Sequence, residues 1–445
     1  MLTIFESTPA SRRLGRRGFL KVGALGLGGL TLANLLQLRA QAAPQSRSQK
    51  SVIMIYLHGG PPHMDMFDMK PNAPAEIRGE FRPVPTNVRG IEICELMPKL
   101  ATVADKFSII RNLTFNEYQE GHNPPLVYTG YYNSAAKPSH RPTFGSVASH
   151  FLGKNVRGLP PYVAFDGMDP NPGRSAHSLG MAHNPYCPSD QNSGLTRPDG
   201  VSPVRLEDRG QLLKSLDRMR RDLDGSRGSM PAMDAFASRA LEMVTSSKAR
   251  DAFDINLEPQ SVRELYGDAG SQFLQARRLV EAGVPVVTLT ANKEPDTWDK
   301  AGPWDTHWNN FNTLRKLLPD LDQSLSALIT DLSQRGLLDD VAVVVWGEMG
   351  RTPRIMPING QGAGRDHWTE VGFGLVSGGG LKMGQVIGQT TSGAERSVGT
   401  PYTPSNMLAT LYENVLGINP ASTYLNFAGR PLYVLDNREK IRELL

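Results

Sequence analysis

The chain has 445 residues, with 48 Lys and Arg against 44 Asp and Glu, and only two cysteines, Cys94 and Cys187. That length can bury a substantial core as one large domain or two smaller ones, and two cysteines exclude both a disulfide framework and a Cys-rich zinc site. The net charge of +4 does not point to nucleic acid: residues 1–42 carry Arg12, Arg13, Arg16, Arg17, Lys21 and Arg39 against Glu6, and taking their +5 from +4 leaves the remainder at −1.

Those first 42 residues read as an export signal. Arg16-Arg17-Gly18-Phe19-Leu20-Lys21 precedes a Gly/Ala/Leu-rich stretch over 22–38 and the small-residue site Ala40-Gln41-Ala42, the order of a twin-arginine signal. The expected partner is the twin-arginine export machinery, and the expected destination is the periplasm or the medium. Residues 43–445 then form the mature domain. The sequence leaves open whether Cys94 and Cys187 are bridged, and it does not set the oligomeric state.

After a polar linker, the apolar run 52–57 reads as a buried strand. It stops at His58-Gly59-Gly60-Pro61-Pro62-His63-Met64-Asp65, where Gly and Pro force a loop. Residues 96–105 read as a short helix and 107–111 as a second strand, leading to Glu117, Glu120, His122 and Asn123. A loop-rich and helical excursion occupies about 160–260, with a strand at 162–165 and helical periodicity over 205–256; His177 and His183 within it read as ordinary loop histidines. A helix over 271–282 is closed by Gly283 and followed by a β-branched strand at 284–289.

The next loop holds Trp304, Asp305, Thr306, His307 and Trp308. Phe311, Leu314, Leu318, Leu321, Leu325, Leu328 and Leu332 then mark one apolar helix face, which Pro319 is expected to kink or restart. The run 341–346, VAVVVW, reads as a strand buried on both faces. Gly347-Glu348-Met349-Gly350-Arg351 follow, then Arg365-Asp366-His367, and the apolar run 371–376 returns to the sheet.

Helix, Gly turn and apolar strand in alternation predict an α/β fold, a central and mainly parallel sheet flanked by helices in three layers. Ligands in such folds bind beyond the carboxyl ends of the strands. His58, His63, Asp65, His122, Asp305, His307, Glu348, Asp366 and His367 gather at those ends, an oxygen and nitrogen set suited to one or two ions of zinc, manganese, calcium or magnesium; of these, strand-end position together with the resemblance given below selects His58, Asp305, His307, Glu348, Asp366 and His367 as the expected metal ligands. His122 and Arg351 are the expected catalytic residues. Asn123, Arg351 and Arg365 are expected to face the substrate, a guanidinium fork being well shaped for an anionic ester. The competing expectation is that Glu348 with Arg351, or Asp366 with Arg365, are internal salt bridges.

The order of these elements resembles the alkaline phosphatase and sulfatase superfamily: Asp305 and His307 before a long helix, Asp339-Asp340-Val341 opening a strand, Gly347-Glu348-Met349-Gly350 at its end, and His367 before an apolar strand. Thr129-Gly130 looks like the end of the sulfatase signature, but Glu120-Gly121-His122-Asn123-Pro124 stands where its nucleophile motif belongs. A closer resemblance is to the bacterial family called domain of unknown function 1501. Its pattern G-G-P-S-x-x-D-x-F-D-x-K-P fits 59–71 with Pro62 for Ser, G-E-F-G-R-T-P fits 347–353 with Met349 for Phe, and G-R-D-H-W fits 364–368 unchanged.

These resemblances imply an alkaline-phosphatase-like fold and an exported, metal-dependent hydrolase of a phosphate or sulfate ester. The substrate would be a small anionic ester or a sulfated polysaccharide; no nucleotide, flavin or nucleic acid is implied. The attacking species would be water activated by the ion or a group in the His122 loop. The alternative is a catalytically inert binding protein on the same fold, recognising an anionic glycan or an extracytoplasmic partner.

Overall fold

The computed structural model describes residues 50–115, 122–133, 139–153, 158–165, 175–188, 242, 246–291, 303–357 and 362–445. The twin-arginine segment, Glu117, Glu120 and most of the helical stretch at 205–256 lie outside the described residues. No helix among the described residues is long and apolar enough to cross a membrane.

Seven strands form one sheet. Numbered in chain order they are β1 (Ser51–Tyr56), β2 (Phe107–Leu113), β3 (Tyr162–Ala164), β4 (Val286–Thr290), β5 (Val341–Trp346), β6 (Gly372–Gly378) and β7 (Val386–Ile387), lying side by side as β7-β2-β6-β5-β1-β4-β3. β1 pairs in parallel with β4 on one side and β5 on the other, so Tyr56, Thr290 and Trp346 finish at one edge. Only β6 is reversed, antiparallel to both β5 and β2. The expected α/β class and mainly parallel sheet are therefore observed.

The sheet is covered on both faces because its strands carry apolar side chains at successive positions. Ile53, Ile55, Val343 and Val345 pack with Leu274, Leu279, Leu314, Leu318, Leu325 and Leu332, from the helices Ser271–Ala282 and Asn310–Gln334. Val52, Met54, Tyr56, Ala342, Val344 and Trp346 point the other way, onto Phe144, Val147, Met407, Leu408 and Tyr412. These are the three expected layers.

Three local expectations need correction. Residues 96–105 are not one helix: a helical turn at Pro98–Ala101 is followed by a separate 3-10 turn at Ala104–Lys106. Pro319 does not break its helix, which runs from Asn310 to Gln334. Pro319 is on the exposed side, where a carbonyl deprived of its i+4 donor can turn to solvent, and the buried leucines on the opposite face hold the helix to the sheet. The strand expected at 162–165 is not a surface feature of the excursion but the edge strand of the central sheet.

Buried charges fasten the helices on the β1–β4 side. Arg277 is fully buried, with Nη2 2.9 Å from Glu258, Nε 2.9 Å from Asp331 and Nη1 2.5 Å from Glu281. Arg335 joins Asp331 at 2.7 Å and Glu258 at 3.1 Å, and Arg278 also reaches Glu258. Burial would raise the Glu258 carboxyl, but the bonds from Arg277 and Arg278 and the Arg335 charge hold it below its ordinary value. A depressed carboxylate stabilises the fold above its unfolded pKa and loses that contribution as the pH falls through the folded value. Glu258→Gln is therefore expected to cost about 1–3 kcal/mol at neutral pH. In denaturant titrations the gap between parent and variant should narrow as the pH drops below about 4.3.

Candidate metal centre

The strand ends bring five loops to one edge of the sheet. The loop after β1 carries His58 to Asp68, the one after β2 leads to His122, and the one after β4 returns at Trp304 to His307. Glu348 to Arg351 leave β5, and Arg365 to Trp368 approach the start of β6. The reversal of β6 matters here, because it sends the chain out from this edge after Trp346 and back to it before Gly372.

Backbone packing sets the loops. Gly59 adopts a left-handed φ of 115°, and a Cβ there would strike the Asp305 backbone; its N–H instead donates to Glu348 at 3.1 Å from Oε1 and 3.3 Å from Oε2. Trp304 is fully buried, and its N–H donates to the His58 carbonyl at 3.1 Å. Gly364 lies so close to His307 that a Cβ would run into the His307 carbonyl, while the Arg365 N–H donates to Thr306 O at 3.1 Å. The two-residue strands Gly350–Arg351 and His367–Trp368 pair antiparallel and tie the last two loops together.

At the centre is Asp305, 2% exposed. His307 Nε2 lies 3.1 Å and His367 Nε2 3.4 Å from its Oδ1, and His122 Nε2 lies 3.5 Å from its Oδ2. The two Nε2 atoms of His307 and His367 are 3.0 Å apart. Two further carboxylates sit behind the rings: Glu348 Oε1 is 2.9 Å from His122 Nδ1, and Asp366 Oδ1 is 3.1 Å from His307 Nδ1. A carboxylate only accepts, so each of these Nδ1 atoms carries the hydrogen and each neutral ring turns its Nε2 lone pair toward Asp305. Acceptors facing acceptors at such distances require a cation between them, either a proton or a metal.

The residues fit a metal. Buried His122 Nε2 faces Asp305 Oδ2 at 3.5 Å, and His122, Asp305 and His367 form one group whose ligand atoms lie within 4.8 Å of one another, while His307, Asp366 and His367 form a second. Three imidazoles and a carboxylate make a nitrogen-rich set suited to zinc or manganese, and carboxylates at Nδ1 are the usual outer support of metal-binding histidines. His122, Asp305 and His367, or His307, Asp366 and His367, would hold the ion, with Glu348 orienting the His122 ring.

Several expected roles change. Arg351 is fully buried, its donors turned to the Gly59, Gly60 and Arg365 carbonyls and to Asp305. Arg365 is also fully buried: it forks onto Asp65 at 2.8 and 2.9 Å and gives its other hydrogens to the Thr352, Pro353 and Ile77 carbonyls. Neither guanidinium can grip a substrate, and their internal partners are Asp305 and Asp65 rather than Glu348 and Asp366. Asn123 is buried and binds the Asn133 backbone through its amide, with Nδ2 2.7 Å from Asn133 O and Oδ1 3.2 Å from Asn133 N. His58 stacks on Tyr56 at 5.4 Å and belongs to neither group of three. Glu348 stands behind His122 and belongs to neither group, Asp366 belongs to the second group as expected, and His122, expected as a catalytic group, stands with the potential ligands.

Thr129 is buried and bonds its own helix at Pro125 O, 2.8 Å away, so it is not presented to the site. His177 pairs with His140 and His183 with Ser149 in a region separate from these loops. No disulfide joins Cys94 and Cys187.

The electrostatics follow from the geometry. Burial works against a charged His122 ring, but its hydrogen bonds to Asp305 and Glu348 raise it to about 9. Burial likewise works against the carboxylates, yet bonds from His122, His307 and His367 and the Arg351 charge hold Asp305 far below the ordinary range. His122 and His58 lower Glu348. At neutral pH the ion-free cluster therefore keeps Asp305 and Glu348 ionised and a proton on His122.

The family model described as "Protein of unknown function (DUF1501)" matches residues 49–445. No curated protein matches the chain. Among solved structures it is similar to the lipoteichoic acid synthase LtaP from Listeria monocytogenes, with 12% identity and a TM-score of 0.36 over 83% of this chain and 72% of that one. It is also similar to the phosphonate monoester hydrolase SpPMH from Silicibacter pomeroyi, with 13% identity and a TM-score of 0.35 over 82% and 73%. The PsFucS1 sulfatase from Pseudoalteromonas sp. gives 10% identity and a TM-score of 0.32 over 81% and 68%. At these TM-scores the likenesses carry no weight for the chemistry.

Two outcomes follow from the site. Because a ligand must lose its proton before it binds a cation, zinc uptake at about pH 7.5 should release about one proton from His122, and the release should fade above about pH 9. Calorimetry in two buffers of different ionisation heat reads this directly, and heats independent of buffer would remove His122 from the ligand set. Arg365→Ala leaves Asp65 charged and buried; unfolding in denaturant should show a loss of about 3–5 kcal/mol, whereas a substrate-gripping role would leave stability intact.

Proposed function

We propose that this chain, which belongs to the DUF1501 family, is an exported metal-dependent hydrolase of a phosphate or sulfate ester, including sulfate esters on polysaccharides. The observation that carries the reading is the convergence of three imidazole Nε2 atoms on one buried carboxylate, with two outer carboxylates fixing the rings. A divalent ion bound there supplies Lewis acidity toward an ester oxygen and lowers the pKa of water.

The chain's own residues do the rest. Asp305 anchors the ligand set, Glu348 and Asp366 select the Nδ1–H tautomers of His122 and His307, and Arg351 fixes Asp305 against the Gly59-Gly60 turn. His122, His307 and His367 are 26%, 18% and 29% exposed at their side chains, so the open side of the cluster is the histidine side. A substrate approaches there. With both arginines engaged internally, an anionic ester is oriented by the ion and not by a guanidinium fork. Water is the nucleophile in this reading, since the residues of the sulfatase signature are absent. The twin-arginine segment supports action in the periplasm or outside the cell.

Elemental analysis of protein purified without chelator tests the proposal first, followed by turnover of p-nitrophenyl phosphate and sulfate. Bound divalent metal and chelator-sensitive turnover are expected. His307→Ala should lose the metal, and Glu348→Ala should weaken its binding about 10–100-fold. A folded protein that binds no divalent ion would sink the proposal. A tightly held ion without turnover would favour the inert reading, recognition of an anionic glycan.

A further inference from the structure

The hairpin near the end of the chain turns an apolar face to solvent. Its strands Thr423–Leu425 and Pro431–Tyr433 pair antiparallel, with Thr423 opposite Tyr433, Tyr424 opposite Leu432 and Leu425 opposite Pro431. Alternation sends Tyr424 and Leu432 inward, onto the cluster that includes Val52 and Val344. The other face of such a hairpin is ordinarily polar. Here it carries Leu425, 60% exposed, and Tyr433, 45% exposed, and the connecting turn adds Phe427 at 76%.

The turn satisfies its own backbone. The N–H groups of Ala428 and Arg430 both donate to Asn426 Oδ1 at 2.9 Å, and those of Asn426 and Gly429 donate to Arg430 O and Asn426 O, each at 2.9 Å. Donors met inside the turn cost little to carry into an apolar medium, where unmet ones would each cost several kcal/mol. The base of the hairpin is fastened to the fold, Arg141 Nη1 donating to Tyr433 O and the Asp436 N–H to the Tyr131 hydroxyl, both at 2.8 Å.

Size and charge select the occupant. Together the apolar side chains expose on the order of 400 Å², against about 800 Å² per partner in a stable protein interface. A projecting turn needs only a few side chains to enter the acyl boundary of a bilayer. Arg430 is exposed beside the turn, and the Arg438 guanidinium lies 4.1 Å from the centre of the Tyr433 ring. Over residues 423–439 these two cations face Asp436 and Glu439, and Asp436 is already answered by Arg141 at 3.1 Å. We propose that this hairpin docks the protein on an anionic phospholipid surface, Phe427 and Leu425 entering the acyl boundary while Arg430 and Arg438 meet headgroup phosphates. The docking is independent of the metal centre.

The test mixes the full chain with vesicles of phosphatidylcholine, with and without phosphatidylglycerol, and recovers bound protein by flotation. Residues 1–42 are themselves basic and apolar, so variants are compared within the same chain, and a nitroxide on Ala428→Cys in a Cys187→Ser background reports on the turn directly. Phe427→Ser should bind phosphatidylglycerol vesicles about tenfold more weakly and Arg430→Gln about fivefold, both unfolding at the parent's denaturant midpoint. On vesicles the nitroxide should become more accessible to oxygen and less accessible to a water-soluble nickel chelate. A folded Phe427→Ser variant that binds as the parent does, or a nitroxide that stays in water, would overturn the proposal. So would a parent that ignores vesicles but sediments as a dimer that Phe427→Ser dissociates, an outcome that puts a second copy of the chain on the hairpin. If Phe427→Ser does not fold, the nitroxide still decides.

Discussion

One buried carboxylate organises this edge of the molecule. The Asp305 side chain is 2% exposed and its carboxyl is held far below the ordinary range, so something positive or hydrogen-donating must meet each of its oxygens. Arg351 meets it from the β5 side and three imidazoles from the open side. The requirement propagates outward. Arg351 needs the Gly59 and Gly60 carbonyls, Gly59 in turn gives its N–H to Glu348, and Glu348 holds His122. A chain of satisfied polar groups thus links three strand ends, and removing any member leaves its neighbour buried and unmet.

Much of the fold was legible because it depends on local composition. The β-branched runs at 52–57 and 341–346 could be nothing but buried strands, and the Ser271–Ala282 helix ends as Gly283 dictates, at a left-handed φ of 105°. The helix face from Phe311 to Leu332 was equally plain. What composition does not encode is direction. Val371–Val376 was readable as a strand, but its antiparallel setting between β5 and β2 is a property of the whole sheet. Pro319 misled for the same reason: the penalty is local, while the packing that outweighs it comes from leucines several turns away.

The candidate site was legible in its membership more than in its roles. Gathering His and Asp residues at strand ends found Asp305, His307 and His367, because their position in the chain is enough to place them. The arginines were misread because a guanidinium's partners are non-local. Nothing in Gly-Arg-Asp-His-Trp says that Arg365 turns back to Asp65, three hundred residues earlier in the chain. His122 was placed at the site but given a catalytic role, since nothing in His-Asn-Pro-Pro says that the fold sets its ring between Asp305 and Glu348 among the potential ligands. Gly59 and Gly364 did carry a signal: both occupy places where a backbone carrying a ligand residue passes too close for a Cβ.

The strand order also governs how this protein comes into being. β1 is made early, yet its neighbours on either side begin at Val286 and Val341. While the ribosome synthesises the intervening chain, the run Val-Ile-Met-Ile-Tyr-Leu has neither edge paired and neither face covered, the condition in which nascent apolar strands associate with one another. Its high contact order makes closure of the sheet a late event. The polar cluster, whose last member is His367, cannot assemble until most of the polypeptide has emerged. The topology thus leaves this run open to such association until Val286 and Val341 have been made, before any question of metal or substrate arises.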